Sequence, residues 1–109
     1  MDITTFSALA EPNRLRMVEL LAGGPLTVGE IAERLQLRQP QASKHLRVLL
    51  EAGLVEVKAD ANRRNYELRT EPLQAMDHWL SSYRRIWNER FDNLEHYLKK
   101  LQSEDNKSK

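Results

Sequence analysis

A chain of 109 residues with 40% apolar and 30% charged side chains has the composition of one small, helix-rich globular domain. It has no cysteine, which excludes disulfides and thiolate metal sites, and no apolar run near the roughly 18 residues that cross a bilayer. The net charge is only +1, yet residues 1–33 hold two basic and five acidic side chains (−3), residues 34–69 eight and four (+4), and residues 70–109 seven of each. A local basic patch on a near-neutral chain points to nucleic acid more than overall balance does. The first residues, MDITTFSALAEPNRL, contain no basic segment followed by an apolar run. No secretory leader and no membrane partner are therefore expected, and the cytoplasm is the expected location.

Residues 3–10 (ITTFSALA) read as a short helix. Pro12 suits the first position of a second helix, where its missing N–H costs nothing. That helix runs through PNRLRMVELLA with Leu15, Val18, Leu21 and Ala22 on one face, and Gly23-Gly24-Pro25 stops it. Thr27 opens a third helix, with Glu30 three residues on at the spacing of a capping box. Val28, Ile31, Ala32 and Leu35 form its apolar stripe. After a turn at QLRQ, a fourth helix over 40–52 turns Ala42, Leu46, Leu49 and Leu50 inward, with Val48 at the margin. Gly53 supplies the left-handed residue that ends it. LVEVKA and RRNYELR alternate as strands, with Val55 and Val57 on one side of the first and Tyr66 and Leu68 on one side of the second. DAN between them makes a hairpin over 54–69 with its tip at Asp60–Asn62. Thr70 and Pro72 start a last helix over 71–101, about 45 Å long, whose apolar residues recur in steps of three and four. The polar QSEDNKSK, residues 102–109, reads as an unstructured tail. The fold class is mainly α with one β-hairpin, in the order α-α-α-α-β-β-α, with residues 1–101 as a single domain.

Residues 27–52 form helix, short turn, helix, and the second helix carries no acid on its outer side until Glu51. This is the arrangement of a DNA-binding helix-turn-helix. Helix ends that meet base edges need amide or hydroxyl side chains, and cations where they meet phosphate. Gln39, Gln41, Ser43 and Lys44 sit in the turn and first helical turn, where Gln can pair bidentately with adenine and Lys can reach guanine or phosphate. Arg47 is placed against the flanking backbone, and Arg38 and His45 complete the candidate set on this helix. Arg63 and Arg64, just past the hairpin tip, can lay cations along phosphates or the minor groove, with Lys58 and Asn62 as weaker candidates.

The segments ALAEPNRLRMVELL, TVGEIAERL, QPQASKHLRVLLEAGLV and RRNYEL resemble those of ArsR/SmtB-type winged-helix repressors, over roughly residues 7–101. The resemblance implies a winged helix-turn-helix with residues 54–69 as the wing. It also implies a homodimer built from the first and last helices, binding double-stranded DNA at an imperfect inverted repeat. Phe6, Leu9, Leu73, Met76, Leu80, Tyr83, Trp87, Phe91, Leu94 and Leu98 are the interface residues expected on those helices. Metal-sensing members carry Cys-x-Cys in the first helix of the motif, where this chain has TVGEIAERL. Other sensors space Asp-x-His and His-x-x-Glu on the last helix, but here Asp77 and His78 are adjacent and His96 has no acid three residues on. The chain is thus closer to the metal-independent branch, with no metal and no cofactor expected. Arg38 stands where the family usually has serine before the recognition helix.

Other constellations give less. Asp92 and His96, with Glu89 near them, have the spacing of half an intersubunit metal site, but a solvated charge set is the simpler reading. Ser43 and His45 lie about 200° apart on a helix, so no proton relay joins them and no enzyme is expected. Trp79, Tyr83, Trp87, Phe91 and Tyr97 read as a dimer seam, with a pocket for an apolar ligand as the alternative. A metal- or ligand-released sensor and a protein-interaction module without DNA binding are the rival functions.

Overall fold

Every helix leaves its first N–H groups without intrahelical partners, and at the first three helices this sequence answers that need with a different side chain each time. Asp2 opens α1 (Ile3–Leu9), its Oδ1 accepting from Thr4 N–H at 3.0 Å. Glu11 opens α2 (Pro12–Leu21), accepting from Arg14 N–H at 2.9 Å. Thr27 opens α3 (Val28–Leu35) with a complete capping box. Its hydroxyl accepts from Glu30 N–H at 3.2 Å, and Glu30 Oε1 accepts from Thr27 N–H at 3.2 Å. Arg38 precedes α4 (Gln39–Glu51), where a guanidinium offers donors only. Only the return half of a box forms there, with Arg38 N–H donating to Gln41 Oε1 at 3.2 Å.

The computed structural model describes residues 2–107. It adds strands β1 (Leu26–Thr27), β2 (Val55–Asp60) and β3 (Arg63–Leu68), and a last helix α5 (Glu71–Lys107). The sheet is antiparallel in the order β1-β3-β2, with Leu26 opposite Tyr66, Val57 opposite Tyr66 and Val55 opposite Leu68. The chain divides after Ala75 into two compact units, the second beginning at Met76.

In the first unit, Met17, Ile31, Leu46, Leu49, Leu54 and Val55 form the buried centre. Ala42, Leu46 and Leu49, all at 0% exposure, fix the back of α4 to it. Both helices of the motif end with one residue in the left-handed region, Gln36 after α3 (φ 56°) and Gly53 after α4 (φ 75°). In each case the next N–H reaches back five residues, Leu37 to Ala32 and Leu54 to Leu49, both at 2.9 Å. The bend between α3 and α4 is therefore short and fixed at both ends. The second unit is a single helical segment whose apolar residues lie exposed along one stripe.

Three expectations need correction. The two-residue β1 adds a third strand to the expected hairpin; a segment that short carries no alternation to read. α2 buries Met17 with Val18 and Leu21, while Leu15 is 44% exposed and Ala22 is exposed. PNRLRMVELLA carries two overlapping apolar stripes, and the packing partner rather than the local pattern selects between them. α5 continues through Lys107 instead of ending at Leu101, because Gln102, Glu104 and Lys107 are good helix formers and no Gly or Pro intervenes. Residues 108 and 109 of the expected tail lie outside the described residues.

Hydrogen bonds from Thr27, first its backbone N–H and then its hydroxyl, hold the Glu30 carboxyl below the ordinary carboxylate range, with Arg63 and Arg34 adding to the effect. Thr27→Ala is expected to cost about 1 kcal/mol in urea unfolding with an unchanged slope. Because the folded carboxyl titrates below the unfolded one, its stabilisation is complete above the unfolded pKa and is lost as pH falls through the folded one. Urea midpoints followed downward through the acid range should therefore drop more steeply for the wild type than for Glu30→Gln.

Candidate nucleic-acid interface

The burial pattern of α4 decides which side chains face outward. Ala42, Leu46 and Leu49 occupy the core side, so Gln39, Gln41, Ser43, Lys44, Arg47 and Val48 are exposed. Exposure alone does not make a contact surface, because several polar groups here already have partners within the chain.

Among the α4 residues expected to touch DNA, Gln39, Ser43, Lys44 and the side chain of Arg38 have no side-chain partner among the described residues. Gln41 accepts from the Arg38 backbone. Arg47 Nε lies 3.3 Å from Glu51 Oε1 in an exposed i,i+4 pair, worth little in stability but enough to offset its charge locally. Arg47 therefore carries less uncompensated charge than its position suggests. Ser43 and His45 share no hydrogen bond, and His45 turns the other way.

His45 is only 23% exposed, and its Nδ1 lies 3.6 Å from Glu11 Oε2 and 3.5 Å from Arg14 Nη1. Arg14 Nε donates to Ala8 O at 2.7 Å, and Nη2 to Ser7 O at 3.4 Å. One arginine thus ties the end of α1 and the start of α2 to the middle of α4. His45 faces this joint rather than the outer surface of α4. Sequence reasoning missed the joint because Glu11 and Arg14 are 34 and 31 positions from His45, although the Glu-Pro-x-Arg spacing at the start of α2 was there to be read.

The β2–β3 ribbon sorts its cations in the same way. Alternation along a strand sends Arg63 and Arg64 to opposite faces. Arg63 Nη2 lies 3.5 Å from Glu30 Oε1, which links the ribbon to the capped start of α3. Arg64 is exposed with no ion-pair partner among the described residues, and Asn62 is exposed in the two-residue turn after Asp60. The other residue of that turn, Ala61, holds φ at 55°. Lys58 Nζ lies 2.9 Å from Glu67 Oε2 and 3.7 Å from Glu56 Oε1. Those two acids face each other across the ladder, and the ammonium between them relieves a like-charge pair. The hydrogen bond and charge of Glu67, then the charge of Glu56, raise the Lys58 pKa above the ordinary lysine range. Lys58 is a structural cation of the ribbon.

On the first unit, Leu9 and Leu73, both expected at a subunit interface, pack partly against their own core. Phe6 is half-buried on α1. On the second unit, Leu80, Tyr83, Trp87, Phe91, Leu94 and Leu98 are exposed along one stripe, with Met76 half-buried at its start. Ile86 and Leu101, not in the expected set, extend it. Trp79 and Tyr83 meet edge to face at 5.2 Å and help line an apolar groove of about 440 Å³ with Leu80, Ile86 and Trp87. Among the described residues, no three His, Asp or Glu side chains gather as a metal site would require, and no helix is long and apolar enough to cross a membrane.

A family profile described as a helix-turn-helix domain matches residues 9–58. The transcriptional repressor SdpR of Bacillus subtilis is 32% identical over 78 residues, covering 72% of this chain and 87% of that protein. The crystal structure of an ArsR family transcriptional regulator superposes with a TM-score of 0.68 at 29% identity, over 78% of this chain and 88% of the other. The homodimeric winged helix-turn-helix DNA-binding domain of a Mycobacterium bovis protein, a possible ArsR-family regulator, gives 0.62 at 29% identity. It covers 75% of this chain and 79% of its own.

The division between free and compensated cations can be measured. Arg64→Ala should weaken binding to all duplexes alike and flatten the dependence of log K on log salt by about one unit per monomer. Lys58→Ala should leave that slope near the wild-type value and lower the unfolding midpoint instead. A slope that responds to Lys58 and not to Arg64 would reverse the assignment.

Proposed function

The chain belongs to the ArsR-type family of winged helix-turn-helix transcriptional regulators, and on that premise we propose that it represses transcription as a homodimer on an inverted-repeat operator. α4 is the recognition helix, entering the major groove with Gln39, Ser43 and Lys44 foremost. The observation that carries this reading is their exposure without partners above a back face buried to 0% at Ala42, Leu46 and Leu49. A helix free to rock on its core could not hold amide groups in hydrogen-bond register with base edges. Arg38 and Arg64 meet phosphate, and Arg64 brings the ribbon to the duplex as a wing. Arg63 and Lys58 stabilise that wing from within.

The partner is a second copy of the chain. The α5 stripe leaves Phe91 at 66% exposure with Leu80, Tyr83, Trp87, Leu94 and Leu98 beside it, a contiguous apolar surface that a monomer in water does not keep uncovered. The homodimeric state of the Mycobacterium bovis relative and the name of the Bacillus subtilis repressor favour the same reading. Two recognition helices then address half-sites about one helical turn apart, and a dimer seated there excludes polymerase from an overlapping promoter. The protein binds DNA in the cytoplasm and has no catalytic step.

Selection from random-sequence duplexes should enrich a symmetric site with half-sites about 10 base pairs apart. A promoter carrying that site should be more active in cells lacking the protein. An asymmetric single site, or a promoter that falls silent on deletion, would contradict the proposal. Trp87→Glu is expected to yield a monomer by light scattering and to abolish operator binding. A dimer persisting after that change would remove Trp87 from the seam.

A further inference from the structure

Beyond the last row of the sheet the ribbon has no third strand. β1 ends with Thr27 opposite Asn65, so residues 59–64, the turn included, project as a two-stranded tip. A two-stranded ribbon is marginal by itself and opens easily. This tip carries Arg64, and a cation on a swinging support must be ordered before it can hold a phosphate, at the cost of affinity. We propose, on the reading that Arg64 meets phosphate, that Glu30 is a positioning residue for DNA binding. Through Arg63 it holds the wing tip so that Arg64 is in place when the duplex arrives.

Two observations carry this. Arg63 Nη2 lies 3.5 Å from Glu30 Oε1, and among the described residues this is the only ion pair between the tip and the rest of the fold. Asp60 is paired with Arg63 across the ribbon, yet the guanidinium turns to Glu30 instead. An exposed pair of this length is ordinarily worth little, because two mobile side chains must be ordered to make it. Here one of them is ordered already. Glu30 Oε1 accepts from Thr27 N–H at 3.2 Å and from the Thr27 hydroxyl at 3.0 Å, so the capping box fixes the carboxylate before Arg63 reaches it. Thr27 is also the residue paired with Asn65, so cap, sheet edge and anchor meet at one point. Because successive residues alternate across a ribbon, a tip held by Arg63 on one face presents Arg64 on the other.

The sign of the expected effect separates this role from plain electrostatics. Deleting an acid beside cations that face DNA ordinarily strengthens binding to phosphate. A positioning role predicts the reverse: neutralising Glu30 weakens binding although the protein gains positive charge.

The test uses the full chain, the duplex it selects, and four proteins: wild type, Glu30→Gln, Arg64→Ala and the double variant. Glutamine also completes a capping box, so the start of α3 is kept and only the charge facing Arg63 is lost. Glu30→Gln should weaken binding about threefold at low salt, within the range of an exposed ion pair. That loss should vanish in the Arg64→Ala background, a coupling that a role confined to folding would not produce. In the free protein, the heteronuclear NOE of the Asn62 and Arg64 amides should fall in Glu30→Gln, while the α3 amides stay unchanged. Binding by Glu30→Gln as tight as wild type, or tighter, would overturn the proposal; a steeper salt slope besides would show Glu30 withholding Arg63 from phosphate. An equal loss in both backgrounds, or unchanged NOE values at the tip, would overturn it too. If Arg64→Ala alone left binding unaltered, the wing reading itself would fall, and this proposal with it.

Discussion

The burial of one face of α4 is the constraint on which the rest depends. Ala42, Leu46 and Leu49 sit at zero exposure in the core built by α2, α3 and the sheet, and the small Ala42 lets the helix start approach closely. Rotating α4 by one residue would bring Ser43 and Arg47, or Gln41 and His45, inward, at the cost of unpaired polar or charged groups in an apolar interior. The core therefore holds the outer face by penalising every alternative. The Schellman-type turns at Gln36 and Gly53 set where the helix begins and ends, and the Arg14–His45 joint adds a polar tether to α1 and α2.

A second consequence concerns charge. Residues 34–69 carry a net +4, yet half of their cations are already paired with acids of the chain. Lys58 bridges Glu56 and Glu67, Arg63 reaches Glu30, Arg47 lies beside Glu51, and Arg69 lies beside Glu71. Arg34, Arg38, Lys44 and Arg64 are left without an ion pair among the described residues. A phosphate backbone meeting this surface finds a few cations at fixed places rather than a diffuse positive field, which suits register more than raw attraction. Counting lysines and arginines along the chain overstates the electrostatic term for this reason.

Much of the fold was legible in the sequence because its signals are local. The Thr27–Glu30 box, the stop at Gly53, the inward face of α4 and the paired alternation of 55–60 and 63–68 are each fixed by neighbours within a few residues. β1 is two residues long and exists only because β3 lies beside it. The inward face of α2 and the Glu11–Arg14–His45 joint depend on residues far apart in the chain. The helical run past Leu101 was masked by polarity, which marks solvent exposure and not disorder when the residues are good helix formers. At the candidate site, residue types pointed to the outer face of α4 and the ribbon tip, but not to which groups were already engaged. Gln41 shows the difference: the sequence presents it as a free amide, and its oxygen already accepts from Arg38 N–H.

The central claim is that α4, held rigidly from behind, meets DNA with its first two turns while the wing tip adds a flanking contact. Backbone amide NMR during titration with the duplex selected by the protein reads this residue by residue. The account predicts that the largest shifts fall on Gln39–Lys44 and around Asn62–Arg64, with Ile31, Leu46 and Leu49 nearly unmoved. Shifts concentrated elsewhere, with the amides of Gln39–Lys44 unchanged at saturation, would contradict it.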